Sequence, residues 1–534
     1  MLRDSKRSSE HDEGDIGTSP AVADVDEAQI QNATVHQPDT MSSEDPNNPM
    51  RWPLWVKVVI LIQCSLLAAI GGLNTASINP ALVQLGKEFG ISTVHASYQT
   101  TVCIALNGVA PWLWIPLAKK YGRRPVYLCT TLLGFGTALA CAYTHTYAHL
   151  IVARVFNGFF PVAFALGATT VTDLFPNHQR GRAMGFFTIT MSTGSHVAPI
   201  VGGLVGQYLG WRWIFKFVSI VDAFLFITSL FCLPETLYVP PNPPLRSRIY
   251  DSGVEQKQTV DAMTGSSLKR AQFTKEIYFK RLGFLSADRH KTPPLSPIAF
   301  LVGTFKIIWY PSVILPALYY STQYGFASIL PAVTVAAIFT AAYKWSTLTI
   351  GLTYGAALTI GGILGEFFAG WVVDLLLIRA QNRRQISGKA GKAEPEVRLW
   401  AIWPGEFLVP AALLIYGFAL TNHAHVSWFA PIFAIGLGCF GLQIITTTCY
   451  TYSIDCYRDR AGEVAQVFNF TRQIIGMTFA FYSVNLGEEI GWWALFLMYS
   501  LLGGVAAFIG VLLVMWKGRE WRSKIQAWEE TRTI

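Results

Sequence analysis

Leu117–Pro125 reads Leu-Ala-Lys-Lys-Tyr-Gly-Arg-Arg-Pro, and it decides how the chain is laid out. It lies between two apolar runs, Ala96–Leu117, which ends in Trp112, Trp114 and Pro116, and Val126–Tyr143. Each run is long enough to cross a ~30 Å hydrocarbon core as a helix, because ~20 residues at 1.5 Å rise suffice. Lys119, Lys120, Arg123 and Arg124 crowd around Gly122 between them. Four cations cannot sit in lipid, and short basic loops stay on the cytoplasmic side. Gly122 suits the turn, since glycine takes positive φ at little cost. With this loop inside, the direction of every other crossing follows.

Composition points the same way. Of 534 residues, 52% are hydrophobic and only 14% charged, against ~25% charged in a typical soluble chain. The net charge of +8 reads as cytoplasmic loop charge, not as a nucleic-acid surface. Eight cysteines (Cys64, Cys103, Cys129, Cys141, Cys232, Cys439, Cys449, Cys456) fall in or beside apolar spans without CxxC spacing. They read as small core residues, not as a disulfide framework or metal site. Residues 1–50 carry eleven Asp/Glu against three Lys/Arg and no apolar run. A disordered cytoplasmic tail is expected there, with no cleavable signal peptide.

The expected spans are Leu54–Ser77, Ala96–Leu117, Val126–Tyr143, Leu150–Thr172, Ala183–Leu209 and Trp213–Leu233. After a polar stretch, Pro234–Pro297, come Ser312–Phe339, Leu348–Val373, Leu399–Leu420, Trp428–Ser453, Val464–Leu486 and Trp492–Trp516. The predicted fold is an all-α membrane protein with twelve transmembrane helices in two six-helix bundles. The predicted division is a tail (1–50), a first bundle (51–233), a cytoplasmic loop (234–297), a second bundle (298–516) and a cytoplasmic tail (517–534). Charge supports this order. With the tails and alternate loops inside, 35 of the 41 Lys/Arg are cytoplasmic. The other six are Lys87, Arg212, Lys216 and Lys344 near the outer face, and Arg154 and Arg472 within spans.

The halves echo one another. The basic loop at 117–125 returns after the eighth span as Gly370-Trp371-Val372-Val373-Asp374 with Arg379, Arg383 and Arg384. Asp173-Leu174-Phe175 leading to Arg180-Gly181-Arg182 returns as Asp455-Cys456-Tyr457 leading to Arg460-Ala461-Gly462. Parallel six-helix repeats place a substrate site between them at mid-membrane. The fifth span carries Gly194-Ser195-His196-Val197-Ala198-Pro199-Ile200-Val201-Gly202-Gly203. Small residues let helices approach closely, and Pro199 removes a hydrogen bond and kinks the helix.

On these motifs the chain resembles a twelve-helix transporter of the major facilitator superfamily, in its fungal drug:proton antiporter group. The family's loop signature is similar to Pro116–Pro125, its fourth-helix signature to Arg154-Val155-Phe156-Asn157-Gly158, and its antiporter signature to Gly194–Gly203. Leu233-Pro234-Glu235-Thr236, Pro395-Glu396-Val397-Arg398-Leu399 and Asn469-Phe470-Thr471-Arg472-Gln473 resemble the fungal group. The resemblance implies a cytoplasmic latch around Gly122, Arg123 and Arg124. It also implies a hinge at Gly194, Pro199, Gly202 and Gly203. Lys119 stands where the family's first-half acid belongs, while the second-half copy keeps Asp374, so the latch is expected to rely on Asp374. The first span holds Asn74 and no acid.

Charges inside a membrane span cost at least ~2.5 kcal/mol on insertion scales and are functional candidates by default. Asp222 in the sixth span is the leading candidate for proton coupling, with Arg154, His196, Glu366 and Arg472 beside it. A carboxyl group out of contact with water favours its neutral form, so it can take a proton from one side and release it to the other. Arg154 or His196 are the expected partners of Asp222, and Arg383 or Arg384 those of Glu366. His196 also reads as a hydrogen-bonded packing residue. Asn107, Trp114, Gln323, Tyr324, Gln443 and Asn469 suit the lining of a cavity for an amphipathic organic compound.

The leading function is proton-coupled efflux of a small organic compound (drug, toxin or fungal secondary metabolite) by a monomer in the plasma membrane. An uptake symporter or a nutrient sensor on the same fold are the alternatives. No catalytic constellation, cofactor or metal site is expected: the histidines are scattered, and Gly388-Lys389-Ala390-Gly391-Lys392 lacks the spacing and hydroxyl of a phosphate loop.

Overall fold

Glycines in positive φ set several helix boundaries. Gly122 (φ 111°), Gly210 (φ 88°) and Gly491 (φ 88°) each join two long helices with no intervening loop. The computed structural model describes residues 47–238, 274–285, 305–386, 394–457 and 460–533. The expected N-terminal tail, most of the central loop and Gly388–Lys392 lie outside the described residues.

Among the described residues, all regular structure is helical. The first half comprises α1 (Leu54–Ala76), α2 (Leu82–Phe89), α3 (Thr93–Tyr121), α4 (Arg123–Ala142), α5 (Tyr147–Phe159), α6 (Ala163–Leu174), α7 (Asn177–Leu209) and α8 (Trp211–Cys232). A short α9 (Lys275–Arg281) precedes the second half. There follow α10 (Pro311–Tyr324), α11 (Leu330–Tyr343), α12 (Thr347–Ile386), α13 (Trp403–Thr421), α14 (Phe429–Cys456), α15 (Ala461–Ile490), α16 (Trp492–Leu501) and α17 (Phe508–Thr533). Ten helical stretches among the described residues are long and apolar enough to cross a membrane. The fifth and eleventh expected spans are also long helices, α7 of 33 and α15 of 30 residues, but are more polar. This is a multi-pass membrane protein.

Four spans depart from expectation. The fourth breaks at Phe160–Val162, where Pro161 cannot donate to the ladder. The eighth runs 40 residues to Ile386, so Asp374, Arg379, Arg383 and Arg384 sit on a helix, not a loop. Their side chains are compatible with helix once past the apolar run. The seventh and twelfth each contain a wide π-turn, Gly325–Ile329 and Leu502–Ala507. Such turns insert a residue, and they recur at functional sites.

The apolar core is divided. The largest cluster draws on residues between Ile307 and Val514, and the next on residues between Trp52 and Leu233. Two smaller clusters mix the halves: Ala336 packs with Ile78, Ala81 and Leu82, and Ile104 packs with Ile329, Val333 and Ala480.

Candidate transport pathway

α7 is packed between α1 and α12, and its small residues decide which surfaces touch. A side chain at Gly194 would strike the Ala69 backbone, and one at Gly202 the Ser77 carbonyl, both belonging to the α1 side. Gly203 faces the other way: a Cβ there would stand 2.8 Å from Gly351 Cα and 3.0 Å from the Thr347 carbonyl on α12. The Pro199 carbonyl also lies against Gly351. The Gly194–Gly203 run therefore serves two interfaces, and Gly203 is its glycine that meets the second half. His196 occupies this second seam, half-buried beside Gly362, with Nε2 3.7 Å from Cys439 Sγ. Glu366, expected near Arg383 or Arg384, instead accepts from Thr188 Oγ1 of α7 at 3.5 Å. Arg384 pairs with Glu394 at 2.9 Å.

The basic loop locks into the end of α8. The Glu235 carboxylate accepts the backbone N–H groups of Arg123 (3.0 Å), Arg124 (3.1 Å) and Leu237 (2.7 Å). A carboxylate at a helix N-terminus satisfies orphan donors and complements the dipole. Burial pushes the Glu235 carboxyl up, while those three N–H groups and the Arg123 charge pull it down. In return the Arg124 guanidinium donates to the last carbonyls of α8: Ser229 (3.3 Å), Leu230 (2.8 Å) and Leu233. Arg123 forms an ion pair with Asp173 at the end of α6. With Lys119 in the acid's usual place, the first half's carboxylates come from Asp173 and Glu235. In the second half Arg398 pairs with Asp455 at 2.7 Å and Arg522 with Glu396 at 3.3 Å. Asp173 and Asp455, the echoed pair, each bind an arginine just before or at the start of the preceding long helix in their own half. Asp374 is exposed and has no ion-pair or hydrogen-bond partner among the described residues.

Asp222 is buried at 6% exposure, among α1, α4 and α8. It borders a cavity of about 20 Å3 that Asn74, Thr130, Thr131 and Gly134 also line, room for about one water. Among the described residues it has no hydrogen-bond partner, and neither Arg154 nor His196 meets it. Arg154 is fully buried and donates to the Asn74 carbonyl (3.2 Å), the Thr75 carbonyl (3.4 Å) and Asn157 Oδ1 (2.7 Å). Its guanidinium lies 5.3 Å from the Phe215 ring centre.

The polar residues expected to line a cavity fall into separate groups. Asn469 Nδ2 donates to the Asn107 carbonyl at 3.2 Å, tying α15 to α3, and Asn107 Nδ2 donates to Thr75 Oγ1 at 3.2 Å. Arg472, half-buried, donates to Tyr320 OH (3.3 Å) and Asn469 Oδ1 (3.2 Å) and lies 4.9 Å from the Tyr324 ring centre. Those residues form one cluster. Trp114 Nε1 donates to the Phe159 carbonyl at 2.9 Å. Gln323 is buried beside Gly503, and Gln443 packs against Gly365. Sequence reasoning missed Glu406: it is 5% exposed and accepts from Tyr319 OH. Its signal was available, an acid seven residues into the expected ninth span.

Residues 64–481 match the Major Facilitator Superfamily. The chain belongs to that superfamily. It is 28% identical over 479 residues (89% of this chain, 86% of the relative) to "MFS-type transporter penM" of Penicillium rubens. It is 26% identical to "Efflux pump radE" of Floropilus chiversii, covering 90% of this chain and 83% of that one. "Probable efflux pump mfs2" of Aspergillus flavus is 25% identical, with 81% and 93% covered. The proteins that this facilitator resembles are named as transporters and pumps, not as enzymes.

Proposed function

We propose that the protein exports a small organic compound across the plasma membrane by alternating access, driven by inward proton flow. Twelve crossings form two six-helix bundles, 51–233 and 298–516, with both termini and residues 234–297 in the cytoplasm. The relatives named as efflux pumps support the direction. The division of the apolar core into a first-half and a second-half cluster supports the two bundles.

The observation that carries the reading is the seam between α7 and α12. There the halves meet backbone to backbone at Gly203 and Gly351, while Ile200 and His196 of α7 seat against Gly355 and Gly362 further along the same seam. The backbone contact allows one bundle to rock on the other. At the outer end Gln84 Nε2 donates to Thr347 Oγ1 at 2.9 Å, and Tyr98 meets Phe481 at 5.1 Å between ring centres. The Arg123–Asp173 and Arg398–Asp455 pairs each stay within one half. Nearer the cytoplasmic side the halves touch as well: Trp112 meets Phe305 and Phe470 at 4.6 and 5.2 Å between ring centres, and Thr188 donates to Glu366. Asp222, beside its water-sized cavity, is the proposed proton carrier, with Glu366 at the seam as the next in line.

Accumulation of a compound panel in cells with and without the gene, repeated with a protonophore, tests the reading. Export predicts lower accumulation in expressing cells, abolished by the protonophore. Higher accumulation would make it an uptake symporter, and no difference for any compound would favour a sensor.

A further inference from the structure

We infer that Arg472 and the tyrosines around it form the substrate's anchoring site, and that it takes the anionic head of an aromatic organic acid. The inference rests on the exporter reading and narrows it to a substrate class.

Arg472 lies in α15 one turn beyond Asn469, the residue that joins α15 to α3. Its two terminal nitrogens are held by neutral oxygens, Tyr320 OH and Asn469 Oδ1, and its Nε has no hydrogen-bond partner. Among the described residues no carboxylate pairs with it. A guanidinium carries five donors in a fixed fork and matches a carboxylate in two parallel bonds. A hydroxyl and an amide oxygen hold the fork in place but leave its charge unanswered. In a membrane interior an uncompensated cation is costly, and its retention calls for a function.

The contrast with Arg154 is informative. Both arginines are membrane-embedded and bonded to neutral oxygens. Arg154 is fully buried, and nothing from outside can reach it. Arg472 keeps some accessible surface, as do its neighbours Tyr324 and Tyr450, while its unbonded Nε lies beneath that surface. An unanswered charge and a partly accessible residue coincide at Arg472 and not at Arg154.

The surroundings suit a flat apolar body. Tyr324 lies against the guanidinium, and Tyr320 sits 6.2 Å from Tyr324 and 5.7 Å from Tyr450 between ring centres. Phe468 closes the cluster 4.5 Å from Tyr450 and stacked on Tyr320 at 6.0 Å. Rings at these spacings accept another ring edge-to-face or offset. The π-turn at Gly325–Ile329 directly follows Tyr324, so the helix that supports two of the tyrosines is locally widened here. An acid with an aromatic body meets both requirements at once. A cationic amphiphile would face the same charge and be repelled.

Full-length protein purified in detergent should be titrated with naphthoate, naphthamide and naphthylmethylamine, which share one ring system and differ in charge. Naphthoate should bind at least about tenfold tighter than the amide, the gain of a charge-assisted over a neutral hydrogen bond, and the amine weakest of all. Arg472→Gln should remove the gap between acid and amide. Arg472→Lys should keep its sign at reduced size, because an ammonium retains charge but not the fork. Tyr324→Ala should weaken acid and amide alike. The inference is overturned if none of the three binds wild type, if amide or amine binds as tightly as the acid, or if the gap survives in Arg472→Gln. The exporter reading fails separately. Selective naphthoate binding by a protein that exports nothing on a proton gradient would sink the exporter and keep the site. Proton-driven export of ethidium without acid selectivity would do the reverse.

Discussion

Replacing Gly203 by leucine should stop transport while leaving the fold intact. An added Cβ would meet Gly351 Cα at 2.8 Å, whereas carbon atoms rest comfortably at about 3.5–4.0 Å. Even alanine therefore demands that α7 and α12 part by about 0.7 Å or more at this point. Both contacting groups are backbone, so no side chain can swing aside. Leucine would push the seam toward the ordinary 8–10 Å interaxial spacing. Overpacking of this kind costs about 1–3 kcal/mol, which shifts a two-state equilibrium by about 5- to 150-fold against the conformer that needs the close approach. Efflux should fall at least fivefold at equal surface abundance, measured by accumulation of a transported compound in intact cells. Gly202→Leu strikes Ser77 on the α1 side instead, inside the first half, and should show as lost yield and lowered thermal stability. Wild-type efflux in Gly203→Leu, or indistinguishable behaviour of the two variants, would refute the sliding seam.

Other expectations follow from the same geometry. Glu235→Ala leaves buried N–H groups at the start of α4 without an acceptor and should cost about 2–4 kcal/mol, read as a lowered midpoint of thermal unfolding; an unchanged midpoint would mean water replaces the carboxylate. Asp455→Asn weakens the Arg398 pair and should lower stability by about 1 kcal/mol, while exposed Asp374→Asn should stay within about 0.5 kcal/mol; a larger loss for Asp374 would assign it a partner in another conformer. Asp222→Asn mimics the protonated carboxyl and should preserve substrate binding while abolishing concentrative efflux; uphill efflux in that variant would move the proton to Glu366 or Glu406.

Much of the fold was legible because apolar length and basic loops answer to the bilayer alone. Leu54–Ser77 was expected and Leu54–Ala76 is found; Trp213–Leu233 was expected and Trp211–Cys232 is found. The extension of α12 to Ile386 was hidden because hydropathy marks where lipid ends, not where helix ends. The site was harder. Glu235 caps a helix that begins 112 residues earlier, and no local pattern announces such a partner. The sequence singled out both Asp173 and Asp455 as echoes, but their arginines could be found only in three dimensions. Which neighbour each side of a helix meets is not readable from composition: Trp114 donates to the Phe159 carbonyl and Gln323 is buried beside Gly503. Glu406 was overlooked beside the more central Asp222, although the same cost argument applied to both.

Proton-driven export is tested most directly by purified protein in liposomes, with a pH gradient imposed in either direction and transport followed for a compound identified in cells. Substrate should accumulate in the compartment trans to the cytoplasmic face when protons flow toward that face. Accumulation should vanish with a protonophore and reverse when the gradient is reversed. Uphill transport that ignores the gradient, or substrate and protons moving in the same direction, would contradict the mechanism.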